Sequence, residues 1–239
     1  DIIGTMEMSV RAGALGLTLT NHPESELARI SSHTVALHAG AEKSVAATKT
    51  FVASAVAALW LLAEWRRDAD LLTAVRALPA LLDAAIRQDW GAARAALAEC
   101  DTAFCLGRGP GFAMSNEAAL KLKETCQIHA ESYSSAEVLH GPVSIVGADF
   151  PVIVLAAGDA AEPLLVEVAE TLQTKGARVL VTSALARANC TLPVVRTAHP
   201  LTDPLPLIVS FYAMAETLAG MRGIDPDTPR HLQKVTQTL

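Results

Sequence analysis

The stretch EAALKLKETCQIHAESYSSAEVLHGP, residues 117 to 142, concentrates the side chains best equipped for chemistry. On a helix, Glu117, Lys121 and Glu124 stand at i, i+4 and i+7 and share one face. A carboxylate and an ammonium side by side, with His140 following in His-Gly-Pro, could move a proton next to a carbonyl. The carboxylate would carry the proton, the imidazole would open and close a sugar ring, and the lysine would hold the developing oxyanion. The same spacing also describes an exposed ion-pair ladder worth about 0.2–0.5 kcal/mol per pair, and residue types alone favour that plainer reading.

The setting shifts the balance. The helix follows CLGRGPG, a strand end running into a glycine turn, and in open α/β sheets ligands bind at the carboxyl ends of strands. After it, HAESYSSAEVLHGP has no clean period, and long irregular connections in compact domains tend to be functional. The turn itself is no dinucleotide fingerprint, because the third glycine of GxGxxG would fall on Phe112.

The elements that must position these residues alternate between short apolar strands and helices, the signature of a parallel sheet built from βαβ units. Near the start, IIGTMEMSVRAGA reads as a helix, Leu15 to Asn21 as a strand, SELARIS as a short helix and His33 to Gly40 as a second strand, followed by the long helix TKTFVASAVAALWLLAEW. Two parallel strands cannot bury both faces of a sheet, so this unit is expected to lack its opening half. Residues 66–100 read as a helical connector broken by Pro79 and Gly91. The strands of a second α/β unit are expected at TAFCLGRG, Pro151 to Gly158, ARVLVTSA and TLPVVRT, closed by the apolar helix PLPLIVSFYAMAETLAGMRG. The polar end, IDPDTPRHLQKVTQTL, has no periodicity.

Composition excludes several function classes. The 239 residues carry a net charge of -6 with scattered basic residues, so there is no electrostatic footprint for nucleic acid or an anionic membrane. The longest nearly unbroken apolar run, Phe51 to Ala63, is shorter than the ~20 residues a spanning helix needs. Cys100, Cys105, Cys126 and Cys190 show neither CxxC spacing nor a disulfide framework, which suits reduced thiols in a cytoplasmic protein. The histidines lack ligand spacing such as HExxH, so no metal is expected.

Three motifs in order, SVAATKTF (Ser44 to Phe51), GRGPGFAMSNEAALKLKETCQIHAESYSSAEVLHGP and the closing PRHLQKVTQTL, resemble the sugar isomerase (SIS) domains of glucosamine 6-phosphate synthases and related phosphosugar isomerases and deaminases. The resemblance implies an α/β fold with two SIS-type doubly wound parallel sheets flanked by helices. Residues 1–65 would be the C-terminal part of the first, 66–100 the connector, 101–226 the second, and 227–239 an active-site tail.

It further implies that Glu124 shuttles a proton between C1 and C2 of a sugar phosphate, that Lys121 stabilises the developing charge, and that Glu117 belongs to the same cluster. His140 would assist ring opening from the neighbouring subunit of a homodimer, and Lys234 would form a Schiff base with the open-chain keto sugar. Val45, Ala46 and Ala47 would contact the sugar; where family members carry a serine this chain has Ala47, leaving the backbone around Val45 and Ala46. His129 carries no expectation beyond a satisfied, partly buried polar group. The partner implied is a small-molecule sugar phosphate, with no cofactor. The competing reading is a regulatory SIS module that binds a sugar phosphate without turnover.

Overall fold

The computed structural model describes residues 2–187 and 190–234. In chain order the elements are α1 (Ile2–Arg11), β1 (Leu17–Thr20), α2 (Glu26–Ile30), β2 (His33–Ala36), α3 (Lys49–Arg66), α4 (Ala69–Ile86), α5 (Gly91–Leu97), β3 (Thr102–Gly107), α6 (Pro110–Cys126), β4 (His129–Ser134), β5 (Pro151–Val154), α7 (Glu162–Thr174), β6 (Arg178–Val181) and α8 (Pro204–Met221). Two short 3-10 turns, Val138–His140 and Pro142–Ile145, lie between β4 and β5.

All strand pairs are parallel. β1 and β2 form a two-stranded sheet with Leu17 opposite His33 and Thr20 opposite Ala36. The other four strands form a second sheet in the order β4-β3-β5-β6. Alternation along its central strands sends side chains to two cores. Cys105, Ile153 and Leu180 pack toward α4, α5, α6 and α8, around the buried Trp90 and Phe211. Phe104, Leu106, Val152 and Val154 pack toward α7, against Leu165 and Leu172. Helices therefore cover both faces, as a buried parallel sheet requires.

Helix α8 is long and apolar enough to cross a membrane by length and composition. It is instead the central helix of the larger core, with Leu207, Ile208, Phe211 and Leu218 fully buried.

Three details depart from the sequence reading. TLPVVRT is not a strand: Leu192 N–H donates to the Val181 carbonyl at 2.8 Å and Thr191 bridges Val181, but no ladder follows. Pro193 has no N–H to continue it, its carbonyl accepts from Trp90 Nε1 at 2.9 Å, and the Thr197 N–H goes to Asp203 Oδ1 at 2.7 Å.

The missing strand lies on the opposite edge. β4 occupies the first part of the stretch read as irregular and pairs with β3 from Thr102–His129 to Gly107–Ser134. As an edge strand it needs no full apolar alternation, and its polar residues are satisfied sideways: Ser132 Oγ meets Ser115 Oγ at 2.8 Å.

Pro79 does not break the connector either. α4 runs through it. One backbone bond is lost there, while Leu71, Val75, Leu78 and Ala85 on the same helix are buried.

Candidate active site

α6 is set by its two ends. Gly109, at φ 55, turns the chain out of β3, Pro110 supplies a helix-ready first residue, and Gln127, at φ 54, ends the helix in the left-handed region. The turn demands glycine where backbones cross. A Cβ on Gly107 would stand 2.5 Å from the Gly111 carbonyl oxygen, and one on Gly111 2.9 Å from that of Leu155.

The Glu117, Lys121 and Glu124 face is not solvated. α6 is wedged between the sheet and α8, so Glu117 and Lys121 are 7% and 4% exposed, while the Glu124 side chain keeps 22%. Lys121 Nζ lies 2.5 Å from Glu124 Oε2 and 3.4 Å from Glu117 Oε1. Lys123, the other lysine of the pair, points elsewhere and donates to the Ala130 carbonyl at 3.0 Å. One buried ammonium therefore serves two carboxylates, the arrangement a surface ladder would not show.

Tyr212 of α8 completes the cluster, its hydroxyl donating to Glu117 Oε1 at 2.7 Å. Burial pushes the Glu117 carboxyl above its ordinary value; the Tyr212 hydrogen bond and the Lys121 charge pull it back, and the Glu124 charge adds to the rise. Burial and the Glu117 charge both push the Tyr212 phenol up, so it remains a proton donor. Sequence reading missed Tyr212 because it sits in an apolar helical run; the signal was the hydroxyl itself, which needs a partner once buried.

The cluster is not at the carboxyl end of β3. Glu124 lies fourteen residues beyond Pro110, ~21 Å along the helix at 1.5 Å per residue. It faces α8 and the segment before α3 instead.

That segment, Ser44 to Thr48, is held from two sides. Thr48 gives no side-chain cap to α3. Glu42 replaces it, accepting from Thr48 N–H at 2.8 Å, Lys49 N–H at 2.7 Å and the Thr50 hydroxyl. Burial raises the Glu42 carboxyl, but these donors outweigh it and leave it below its ordinary value. From the other side the C-terminal segment grips the loop. Val45 N–H donates to the Asp227 carbonyl at 3.4 Å, Ser44 Oγ donates to Asp227 Oδ1, and Lys234 Nζ donates to the Ser44 carbonyl at 2.6 Å. Lys234 thus meets that segment; residues 235–239 of the expected tail lie outside the described residues.

A cavity of about 1720 Å³ opens between β2, the Ser44–Thr48 segment, α3, α4 and α8. Its lining includes Ser44, Ala46, Lys121, Thr125 and Tyr212, apolar residues such as Val52, Val56, Leu78 and Leu82, and charged ones such as Glu64, Arg76 and Asp83. Small-molecule pockets run roughly 300–1,000 Å³, so a small ligand would fill only part of it. Ala46 is buried, whereas Val45 and Ala47 are half-buried.

His140 does not join this cluster within the chain. It is exposed on the Val138–His140 turn, and among the described residues no hydrogen bond or ion pair links its ring to Glu117, Lys121 or Glu124. His129 is exposed at the start of β4, not partly buried as expected, because it lies at the strand's open end.

The SIS domain family matches residues 96–218, from the end of α5 through β3–β6 and most of α8. The chain belongs to the SIS domain family. Over 260 aligned residues it is 33% identical to the isomerising glutamine-fructose-6-phosphate aminotransferase of Thermosynechococcus vestitus, covering 98% of this chain and 41% of that one. This SIS chain spans about two fifths of the length of the curated relatives it matches. Among solved structures, a protein from Silicibacter pomeroyi DSS-3, described provisionally as a phosphosugar isomerase, is 56% identical with a TM-score of 0.90 over 94% of this chain and 69% of that one. The glucosamine-6-phosphate deaminase of Thermotoga maritima shares the fold, at 21% identity and a TM-score of 0.73 over 95% of this chain and 69% of that one.

Proposed function

We propose that this SIS protein catalyses aldose-ketose isomerisation of a hexosamine 6-phosphate, converting glucosamine 6-phosphate to fructose 6-phosphate by proton transfer between C1 and C2, with water replacing the nitrogen and ammonia released. The observation that carries the reading is the Lys121–Glu124 contact at 2.5 Å in a chain of this family, one member lining the cavity and the other the more accessible carboxylate of the cluster.

Glu124 carries the proton from one carbon to its neighbour, and the enediol-like charge that develops falls to Lys121. Glu117 holds the lysine from the other side. Val45 and Ala46 offer backbone groups to the sugar, with Ala47 adding no hydroxyl. Lys234, one hydrogen bond from the Ser44 carbonyl, is close enough to that segment to condense with an open-chain ketose as a Schiff base. His140 is exposed on its turn, and the role proposed for it is to serve the site of a second copy in a homodimer. The chemistry is proton transfer between adjacent carbons and uses no cofactor.

The test is solvent deuterium incorporation and ammonia release from glucosamine 6-phosphate in D2O, with Glu124→Gln and Lys234→Ala as controls. Exchange and ammonia that Glu124→Gln loses support the reading. Calorimetric binding of the sugar phosphate without exchange would replace it with a regulatory binding role.

A further inference from the structure

We propose that Tyr212 is a positioning residue for this cluster: by donating to Glu117 Oε1 it fixes that carboxylate against α8 and leaves the Lys121 ammonium with Glu124. The inference deepens the isomerase reading and rests on it for its catalytic consequence.

The geometry is a competition for one oxygen. Glu117 Oε1 faces two donors, the Tyr212 hydroxyl at 2.7 Å and Lys121 Nζ at 3.4 Å, while the same Nζ lies 2.5 Å from Glu124 Oε2. Glu117 is buried, and a buried carboxylate deprived of a donor recruits the nearest cation or takes a proton. Without the phenol, Lys121 is the remaining donor to that oxygen, and each movement toward Glu117 takes it from the residue that shuttles the proton. Tyr212 thus sets how one ammonium is divided between two acids.

The charged and titratable groups around Glu117 come from three elements. Lys121 and Glu124 lie on α6 and Tyr212 on α8, while the charge of Glu42, from the segment before α3, acts on Tyr212. Of these, the Tyr212 hydrogen bond and the Lys121 charge and hydrogen bond draw the Glu117 carboxyl down against its burial. The phenol, itself driven up by burial and by Glu117, does not ionise in the working range and stays a donor.

The experiment compares wild type, Tyr212→Phe, Glu117→Gln and the double variant. Carboxyl 13C NMR follows the Glu117 titration, and kcat/KM for glucosamine 6-phosphate is measured against pH. In Tyr212→Phe, Glu117 is expected to titrate at higher pH and the acid limb of kcat/KM to move with it. At neutral pH kcat/KM falls roughly ten- to hundredfold, the size of one hydrogen bond to a charged group. In the Glu117→Gln background the tyrosine substitution adds no further loss.

An unmoved Glu117 titration together with unchanged kcat/KM in Tyr212→Phe overturns the proposal. So does an equal activity loss with and without Glu117, which marks Tyr212 as packing alone. Absence of wild-type turnover would defeat the isomerase reading instead, and the carboxyl titration would still decide whether Tyr212 governs Glu117.

Discussion

The Tyr212 hydroxyl and the Glu117 carboxylate, ninety-five residues apart in sequence, meet at 2.7 Å across the α6–α8 interface. That contact ties the charged face of α6 to a helix central to the larger core. A helical face carrying two acids and a lysine is ordinarily solvated; here α8 covers it, and burial turns ion pairs worth tenths of a kcal/mol into interactions whose loss is felt.

Glu124→Gln separates chemistry from stability. The Glu124 side chain is partly exposed and its partner Lys121 keeps Glu117, so the amide is accommodated. Removing a general base costs ~10²–10⁴-fold in rate. Turnover of glucosamine 6-phosphate is expected to fall by that factor with the thermal midpoint nearly unchanged, which parallel kinetics and calorimetry would show.

Glu117 predicts a pH dependence of stability. Its folded carboxyl is raised by burial above the ordinary glutamate value of about 4.3. The native state therefore holds this proton more tightly than the unfolded chain. The contribution is fully present below about pH 4.3 and is lost as pH rises from there through the folded value. Glu117→Gln removes that slope. Chemical denaturation of both proteins across mildly acidic pH should show wild type losing stability relative to the variant as pH rises, then a constant difference. Wild type gaining stability relative to the variant as pH rises would sink the assignment.

The sequence carried the parallel α/β plan because βαβ alternation is a local signal, and it carried Glu117, Lys121 and Glu124 because their spacing is helical. It could not show that their face is buried, since that depends on α8, which arrives some eighty residues later. The same limit hid Tyr212. β4 was illegible for a different reason. An edge strand with Ser132 and Ser134 among its residues satisfies its polar groups through neighbours such as Ser115, so its pattern lacks the apolar alternation by which strands are recognised. TLPVVRT misled in the opposite direction, having β composition with a proline where the ladder must continue. Glu42 lay unremarked beside the SVAATK motif because a glutamate capping a helix seven residues downstream leaves no fixed spacing.

The Gly107 crossing offers a test of the scaffold alone. A methyl there would meet the Gly111 carbonyl oxygen at 2.5 Å and the Phe112 Cα at 2.8 Å, both backbone atoms that cannot rotate away. Gly107→Ala is expected to lose about 1–3 kcal/mol, the range of overpacking, read as a lower urea midpoint with an unchanged slope. Because the β3–α6 turn sets the axis on which Lys121 and Glu124 ride, kcat should fall with it. Gly4→Ala, with no atom within 4 Å of the added methyl, is the matching control.

Thiol reactivity reports on the sheet that supports the site. Burial in the centre of β3 pushes the Cys105 thiol up to about 12, against a small opposing pull from the Lys123 charge, and Cys126 is raised by the same cause. Thiolate is the reactive species, so neither is expected to react with an aromatic disulfide reagent at pH 8 while the fold is intact. The half-buried Cys100, at the end of the connector, is expected to react first. Mass mapping of the labelled sites over time, with and without urea, distinguishes the groups. Labelling of Cys105 in the native state at the rate of Cys100 would mean that β3 opens readily, and a strand that opens could not hold α6 steady enough to keep a lysine 2.5 Å from the carboxylate it serves.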